Sequence, residues 1–202
     1  MLGSTQKLLK KYGSLLGLLA TTGMIGAFLL VLWGSLSAQF LLHELPCPLC
    51  VLQRYSMLLV CLGPIYILIC REKGELDLQK YMIGHGISIL SSLAGMLFSA
   101  RQILLHIPAN DPGYGGVFLG LHFYTWSFIT FIIVIFYSAV MMIFSDLLLP
   151  NYTKSNKLVD FGIKIVLYVF LFTTAVIFLA IVAELGFNFK LPDDPIYYEL
   201  FR

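Results

Sequence analysis

The sequence has the composition of a membrane protein rather than of a soluble domain. Of its 202 residues, 59% are hydrophobic and only 12% are charged, and the mean hydropathy is +0.88. Soluble domains carry about 25% charged residues. The net charge of +2 provides no basic surface of the kind that binds nucleic acid, so that class of function is excluded.

Five apolar runs are long enough to cross a hydrocarbon layer about 30 Å thick as helices of roughly 20 residues. They predict transmembrane helices over residues 14–39, 51–70, 81–104, 124–148 and 160–182. The first run contains Ser35-Leu36-Ser37, which resembles a signal-peptide cleavage site. Its apolar length exceeds the ~7–15 residues of a signal-peptide core. A retained membrane anchor is therefore preferred over a cleaved signal peptide.

Lysines and arginines are distributed unevenly between the two ends of these runs. One end carries Lys7, Lys10, Lys11, Arg71, Lys73, Lys80, Lys154, Lys157 and Lys164, and the other carries Arg54, Arg101, Lys190 and Arg202. Because cytoplasmic loops carry the excess of positive charge, we expect a cytoplasmic N-terminus. Residues 44–54, the loop 105–123 and the tail from Glu184 are then expected on the outer side.

The third run carries small residues at four-residue spacing, which allow transmembrane helices to approach closely. They are Gly84, Ser88 and Ser92, and Ser91, Gly95 and Ser99. We therefore expect this helix at the centre of the bundle. Ionisable residues inside a membrane mark transport pathways, but Asp146, Asp160, Lys164 and Glu184 all lie near the ends of runs and His85 is only about one turn inside the third. An ion-coupled transporter is therefore a weak interpretation.

The four cysteines separate into two groups. Cys61 and Cys70 are nine residues apart on the second run, about 13 Å along a helix, which is too far for a disulfide, and they are interpreted as buried small hydrophobic residues. Cys47 and Cys50 have the C-x-x-C spacing and lie on the side expected to be oxidising, where disulfides form and persist.

The prolines of "ELPCPLCVLQR", residues 44–54, predict that the second helix begins near Leu49 or Cys50, since proline is excluded from helix interiors. In the first turn, unpaired N–H groups and the helix dipole favour a Cys50 thiolate over a thiol. Arg54, one turn later on the same face, adds a fixed positive charge, and Gln53 adds a neutral donor and acceptor. These residues indicate redox chemistry.

Two other interpretations of the C-x-x-C remain open. A structural zinc site needs four ligands, and the outer segments contain no second cysteine pair; His43, His106 and His122 are the remaining candidates. No metal site is predicted. A structural disulfide is possible, but so short a ring constrains the unfolded chain little.

Residues 46–54, PCPLCVLQR, resemble the signature of the DsbB family, membrane enzymes that pass electrons from the periplasmic thiol oxidase DsbA to a quinone. Phe118-Leu119-Gly120-Leu121 followed by Trp126 resembles the family's "FLGL…W" pattern at the start of the fourth helix. The similarity covers residues 14–148, the four-helix core of the family.

The resemblance implies roles for individual residues. Cys50 would interact with the quinone, Cys47 would be its disulfide partner, and Arg54 would bind a quinone carbonyl. Gln53, Gln102 and His106 are further candidates for cofactor binding. The implied cofactor is ubiquinone or menaquinone, and the implied partner is a periplasmic DsbA-like protein of the thioredoxin fold. The implied location is the bacterial inner membrane.

The sequence departs from the family in three places. The outer loop 105–123 lacks the usual second cysteine pair, and Tyr114 stands where the family's P-x-C-G has its cysteine. Gln102 stands where many members have a histidine near the quinone, and His106 follows one turn later; an interfacial anchor is an equally good interpretation of His106. A fifth helix and a tail extend past the four-helix core.

The expected architecture is an all-α integral membrane protein, a four-helix DsbB-like bundle over residues 1–150 and an additional transmembrane helix with a periplasmic tail over 151–202. With one cysteine pair, a donor thiolate would attack Cys47 directly and release Cys50. The alternative is a membrane scaffold or quinone-binding subunit with a static disulfide, in which Tyr197, Tyr198 and Phe201 of the tail dock on a partner or on the membrane interface.

Overall fold

The computed structural model describes residues 2–108, 111–150, 157–186 and 195–201. Five long helices form the bundle: α1 (Leu2–Leu41), α2 (Pro48–Glu72), α3 (Leu78–Leu105), α4 (Phe123–Ile143) and α6 (Lys157–Leu185), with the short α5 (Ser145–Leu148) after α4. All five long helices are long and apolar enough to cross a membrane. The predicted all-α membrane fold is confirmed. Lys154, Lys190 and Arg202, used for the expected orientation, lie outside the described residues.

The predicted fourth helix, 124–148, is wrong at its end. α4 stops at Ile143, Phe144 leaves the helical conformation, and α5 takes a new direction. A Cβ on Gly17 of α1 would collide with the backbone carbonyl of Leu148, so α5 lies directly against α1. Ser145 and Asp146 follow the break directly, but the apolar residues resume at Leu147, so hydropathy averaged over the run does not reveal it.

The second helix, not the third, lies at the centre of the bundle. In its most apolar stretch α2 is 61% buried against 33% for α3, because α2 packs against α1, α3 and α6 whereas α3 packs mainly against α2 and α4. The predicted close approach of α3 is confirmed: a Cβ on Gly63 of α2 would collide with the carbonyl of Gly84 and with Ser88. Small residues thus bring α2 and α3 together without making α3 the central helix.

Polar contacts fix α6 against the bundle at its N-terminal end and in its middle. Arg71 at the end of α2 pairs with Asp160 at 3.7 Å, and Glu72 pairs with Lys164 at 3.3 Å. Further along, Trp33 Nε1 of α1 donates to Thr173 Oγ1 at 3.0 Å. The chain direction of α6 therefore brings its C-terminal end beside the start of α2, where the C-x-x-C lies.

A small hairpin precedes α4. β1 (Val117–Phe118) and β2 (Leu121–His122) pair antiparallel, and the two turn residues, Leu119 and Gly120, both have positive φ. That conformation suits the twist of a two-residue hairpin. Trp126 Nε1 of α4 donates to the Phe118 carbonyl at 2.9 Å, so the FLGL…W pattern is a hairpin bonded to the first turn of the following helix.

Candidate redox site at the start of the second helix

The two cysteines meet at the N-terminus of α2. Cys47 is the extended N-cap residue, and its sulfur accepts a hydrogen bond from the Cys50 backbone N–H at 3.2 Å. Pro48 occupies the first helical position, one residue before the predicted start, where its missing N–H costs nothing. The two sulfur atoms are 2.7 Å apart. The predicted placement of Cys50 in the first helical turn is confirmed.

Gln102 of α3 contacts both sulfurs from the neighbouring helix. Its Nε2 donates to Cys47 Sγ at 3.3 Å and to Cys50 Sγ at 3.5 Å. Its Oε1 accepts from Gln53 Nε2 at 2.7 Å, which fixes the direction of the amide. Gln102 is only 1% exposed. Two donated hydrogen bonds stabilise negative charge on a sulfur atom, so this side chain acts on the cysteines directly.

Cys47 is buried, although the sequence predicts it as the cysteine that a donor thiolate attacks directly. It is 6% exposed, whereas Cys50 is partly exposed. The hydrogen bond with the Cys50 side chain, and then burial, raise the pKa of the Cys47 thiol above its ordinary value. Cys47 therefore keeps its proton in the reduced pair, and the negative charge belongs on Cys50.

Arg54 lies one turn beyond Cys50 and is held by the end of α1. Its Nε donates to Ser35 Oγ at 2.6 Å, its Nη1 to Gln39 Oε1 at 2.6 Å and its Nη2 to the Ser35 carbonyl at 3.1 Å. The side chain is 7% exposed. Since a guanidinium has five N–H donors, two remain for another acceptor in the fixed orientation that α1 imposes.

A cavity of about 670 Å³ lies beside Cys50 and Arg54. It is within the range of sites that hold a small organic ligand, about 300–1,000 Å³. Its polar lining includes Ser35, Cys50, Gln53 and Arg54, and its aromatic lining Tyr114, Phe118, Phe123, Tyr124 and Trp126. Gln102 and His106, two of the predicted cofactor-binding residues, are not among the described residues that line it. A flat apolar ring with carbonyl oxygens, the chemistry of a quinone, fits this combination of aromatic walls and a guanidinium.

Residues 16–113 match the family model described as "DsbB: Disulfide bond formation protein DsbB". This range is similar to the DsbB family. No curated protein and no solved structure was found to match the chain. The family is one of membrane oxidoreductases that form disulfide bonds.

The DsbB match includes every predicted site residue but ends before the hairpin. Cys47, Cys50, Gln53, Arg54 and Gln102 lie within it, and the structure brings them together. The matched range stops at residue 113, so the FLGL…W pattern, α4 and α6 lie beyond it. The extension of the similarity to residue 148 and the division at residue 150 stay predictions.

His106, the remaining predicted site residue of the DsbB domain, lies at the end of α3. Its Nδ1 is 3.1 Å from both carboxylate oxygens of Asp111, and its ring stacks on Tyr124 with centroids 5.5 Å apart. The backbone N–H of Gly113 and the His106 ring lower the pKa of the Asp111 carboxyl. His106 thus orders the loop and touches the cavity wall through Tyr124.

The loop that lacks the second DsbB cysteine pair is bonded to the segment before Cys47. The Tyr114 hydroxyl donates to the Leu45 carbonyl at 2.7 Å, and the Gly116 N–H donates to Glu44 Oε2 at 3.2 Å. Where the family pattern has a sulfur, this chain has a hydrogen-bond donor that closes the loop over the cysteines. In the part of the chain that the structure describes, no group of three His, Cys, Asp or Glu side chains could hold a metal ion.

Sequence reasoning missed four residues at this DsbB site: Ser35, Gln39, Glu184 and Tyr198. Gln39 Nε2 donates to the Tyr198 hydroxyl at 3.3 Å while its Oε1 accepts from Arg54. Glu184 is 1% exposed and interacts electrostatically with Arg54. The sequence offers one signal for Gln39 and Glu184: each is a polar residue near the outer end of an otherwise apolar helix. It does not identify Arg54 as their neighbour.

Proposed function

We propose that the protein is a quinone-dependent thiol:disulfide oxidoreductase. In this proposal it reoxidises a periplasmic DsbA-like protein of the thioredoxin fold through Cys47–Cys50 and passes the electrons to ubiquinone or menaquinone in the membrane. The observation that carries the proposal is the position of Cys50, which shares one cavity with Arg54 and aromatic side chains and lies 2.7 Å from the sulfur of Cys47.

The proposed location is the bacterial inner membrane. The N-terminus is cytoplasmic, and the C-x-x-C and the C-terminal tail are periplasmic. The positive charges at the opposite end of the bundle, among them Lys73 and Lys80, support this orientation. The oxidising side of the membrane is also where a C-x-x-C disulfide persists.

Electrons enter by thiol–disulfide exchange. A thiolate of the donor attacks Cys47 Sγ, a mixed disulfide forms, the Cys47–Cys50 bond breaks and Cys50 leaves as the thiolate. The second thiolate of the donor then attacks the donor sulfur that is bonded to Cys47. The donor leaves with its own disulfide, and Cys47 is released in the reduced form. Gln102 stabilises the charge on Cys50 through its Nε2. Because Cys47 is buried, the segment bonded through Leu45 and Glu44 has to move before the donor can reach it.

The residues around the cavity would hold the quinone. The free N–H groups of Arg54 can donate to a ring carbonyl, Gln53 lines the same wall, and Tyr124 and Trp126 offer aromatic faces. A bound quinone would supply the chemistry that the protein lacks, since it can accept the two electrons of the reduced pair together with two protons. The contacts of Gln102 give it a role at the sulfurs, and those of His106 give it a role in the loop.

Turnover with a thiol donor and a soluble quinone tests the proposal. Cys50→Ser should abolish quinone reduction by the purified protein, whereas Cys61→Ala, a change of a cysteine buried in the core, should leave it. Persistent turnover in Cys50→Ser would refute the role of Cys50. Arg54→Met should lower quinone use more than thiol exchange; equal losses would indicate a folding defect.

A second candidate function is a membrane scaffold or quinone-binding subunit with a static Cys47–Cys50 disulfide. The burial of Cys47 favours it. Acid trapping and alkylation of thiols in cells separates the two candidates. A cycling pair shifts toward the reduced form on quinone depletion, whereas a static bridge does not shift.

A further inference from the structure

A buried acid from outside the matched DsbB domain faces the redox site. Glu184 lies near the end of α6, 1% exposed, and among the described residues neither of its carboxylate oxygens has a hydrogen-bond partner. Its electrostatic neighbours are Arg54 and Cys50. A buried carboxyl without partners is costly, and packing of a transmembrane helix does not require one.

The charges at the site do not balance if both acids are ionised. Arg54 supplies one positive charge, and its hydrogen-bond partners Ser35 and Gln39 are neutral. A Cys50 thiolate and a Glu184 carboxylate would supply two negative charges. A buried site away from water tolerates a neutral total far better than a net charge. It therefore accommodates one of the two anions at a time.

We propose that Glu184 is the proton-storing residue of the redox site and takes up a proton when Cys50 becomes a thiolate. The proposal rests on the proposed function, because it assigns a proton carrier to the same thiol chemistry. In the disulfide form, ionised Glu184 is the counterion of Arg54. In the reduced form, Cys50 is the counterion and Glu184 is protonated.

The atoms and electrons balance in this scheme. The donor dithiol loses two electrons and two protons as its disulfide forms, and the Cys47–Cys50 bond takes up the two electrons as it breaks. One proton goes to Cys47 as its thiol, and the other goes to Glu184. When the quinone reoxidises the pair, both protons leave the same site with the two electrons.

Within the part of the chain that the structure describes, the groups around Glu184 leave no second candidate for this proton. α2 presents Arg54 and Cys50, and α1 presents the uncharged Gln39. The C-terminal turn beside Gly186 presents Tyr198 and Glu199. The Tyr198 hydroxyl accepts from Gln39, and Glu199 is half-buried at the periphery. Glu184 is the fully buried acid among the described residues of this group.

The equilibrium of the cysteine pair with dithiothreitol, measured in quinone-free protein, tests the proposal. Between about pH 6 and pH 8, dithiothreitol releases two protons when it is oxidised. The parent protein takes up two protons when its cysteine pair is reduced, so the equilibrium constant of the exchange should hardly change with pH. In Glu184→Gln the pair binds one proton, and the constant should rise about ten-fold per pH unit. Glu184→Asp should restore the parent behaviour.

Asp160→Asn is the matched control, because it makes the same change of charge on the same helix at the opposite end; it should behave as the parent. A pH-independent constant in Glu184→Gln would overturn the proposal. If that variant does not fold, the infrared difference spectrum of the parent decides. Reduction should produce a protonated-carboxyl band, and its absence overturns the proposal. A pair that never equilibrates with dithiothreitol refutes the proposed function itself.

Discussion

Gln102 provides the sharpest test of how the protein stabilises charge on Cys50. Gln102→Leu keeps the volume roughly constant and removes the Nε2 donor that lies 3.5 Å from Cys50 Sγ. A hydrogen bond to a charged group contributes about 1.5–3 kcal/mol. Because Nε2 is shared with Cys47, we take the lower end of that range. The equilibrium constant for ionisation of the Cys50 thiol should then fall about ten-fold, and at pH values below the midpoint of that ionisation the thiolate fraction should fall in the same proportion.

The rate of iodoacetamide alkylation measures that fraction. The rate is compared in a Cys47→Ser background, where Cys50 is the partly exposed cysteine and Cys61 and Cys70 are buried. Gln53→Leu is the control. It removes the partner of Gln102 Oε1 but not the Nε2 donor itself, so the rate should fall less than in Gln102→Leu. An unchanged rate in folded Gln102→Leu would refute the argument that this amide stabilises the thiolate.

Three further predictions concern the loop, the pH dependence of stability and the packing of the helices. Tyr114→Phe removes the 2.7 Å hydrogen bond to the Leu45 carbonyl, worth about 1 kcal/mol, so a thiol donor should react with Cys47 about five-fold faster; a slower reaction would contradict the closed loop. The raised pKa of Cys47 means that the folded reduced protein binds this proton more tightly than the unfolded chain does. The free energy of unfolding should therefore be steady below about pH 8 and decrease as the pH rises above about 9, and thermal unfolding should show that loss reduced in Cys47→Ser. Gly63→Ala should destabilise the protein by about 1–3 kcal/mol through overpacking, whereas Gly86→Ala, with nothing within 4 Å of its added Cβ, should not; equal melting temperatures would contradict the close helix contact.

The sequence predicts those parts of the site that lie within one helical turn of each other. Cys50, Gln53 and Arg54 are separated by three or four residues, and the helix period alone puts them on one face. The prolines indicate where that helix begins, since they restrict the backbone locally. Hydropathy likewise predicts the five long helices, because an apolar run long enough to cross a membrane is a local property of the chain.

The partners of Arg54 could not be predicted in this way. Gln39 comes from α1, Tyr198 from the C-terminal tail and Glu184 from α6, and their convergence depends on helix packing and chain direction. No period or motif records that convergence. The position of Glu184 near the end of an apolar run indicated only a residue at the membrane interface, whereas the structure buries it completely.

The loop that contains Tyr114 is bonded to the segment before Cys47, and this closure bears on the charge of Cys50. A thiolate beside Arg54 needs a dry, rigid surrounding to gain from that charge, because water would screen it. Tyr114 and Glu44 provide the closure through their contacts with the neighbouring loop and with Leu45. In the proposed function, however, a donor protein must reach Cys47. A single cysteine pair can be both accessible to the donor and enclosed around the Cys50 thiolate only if the loop opens during thiol exchange and closes before the electrons leave. Tyr114, which stands in place of the family's cysteine, would then regulate access to the pair rather than carry electrons.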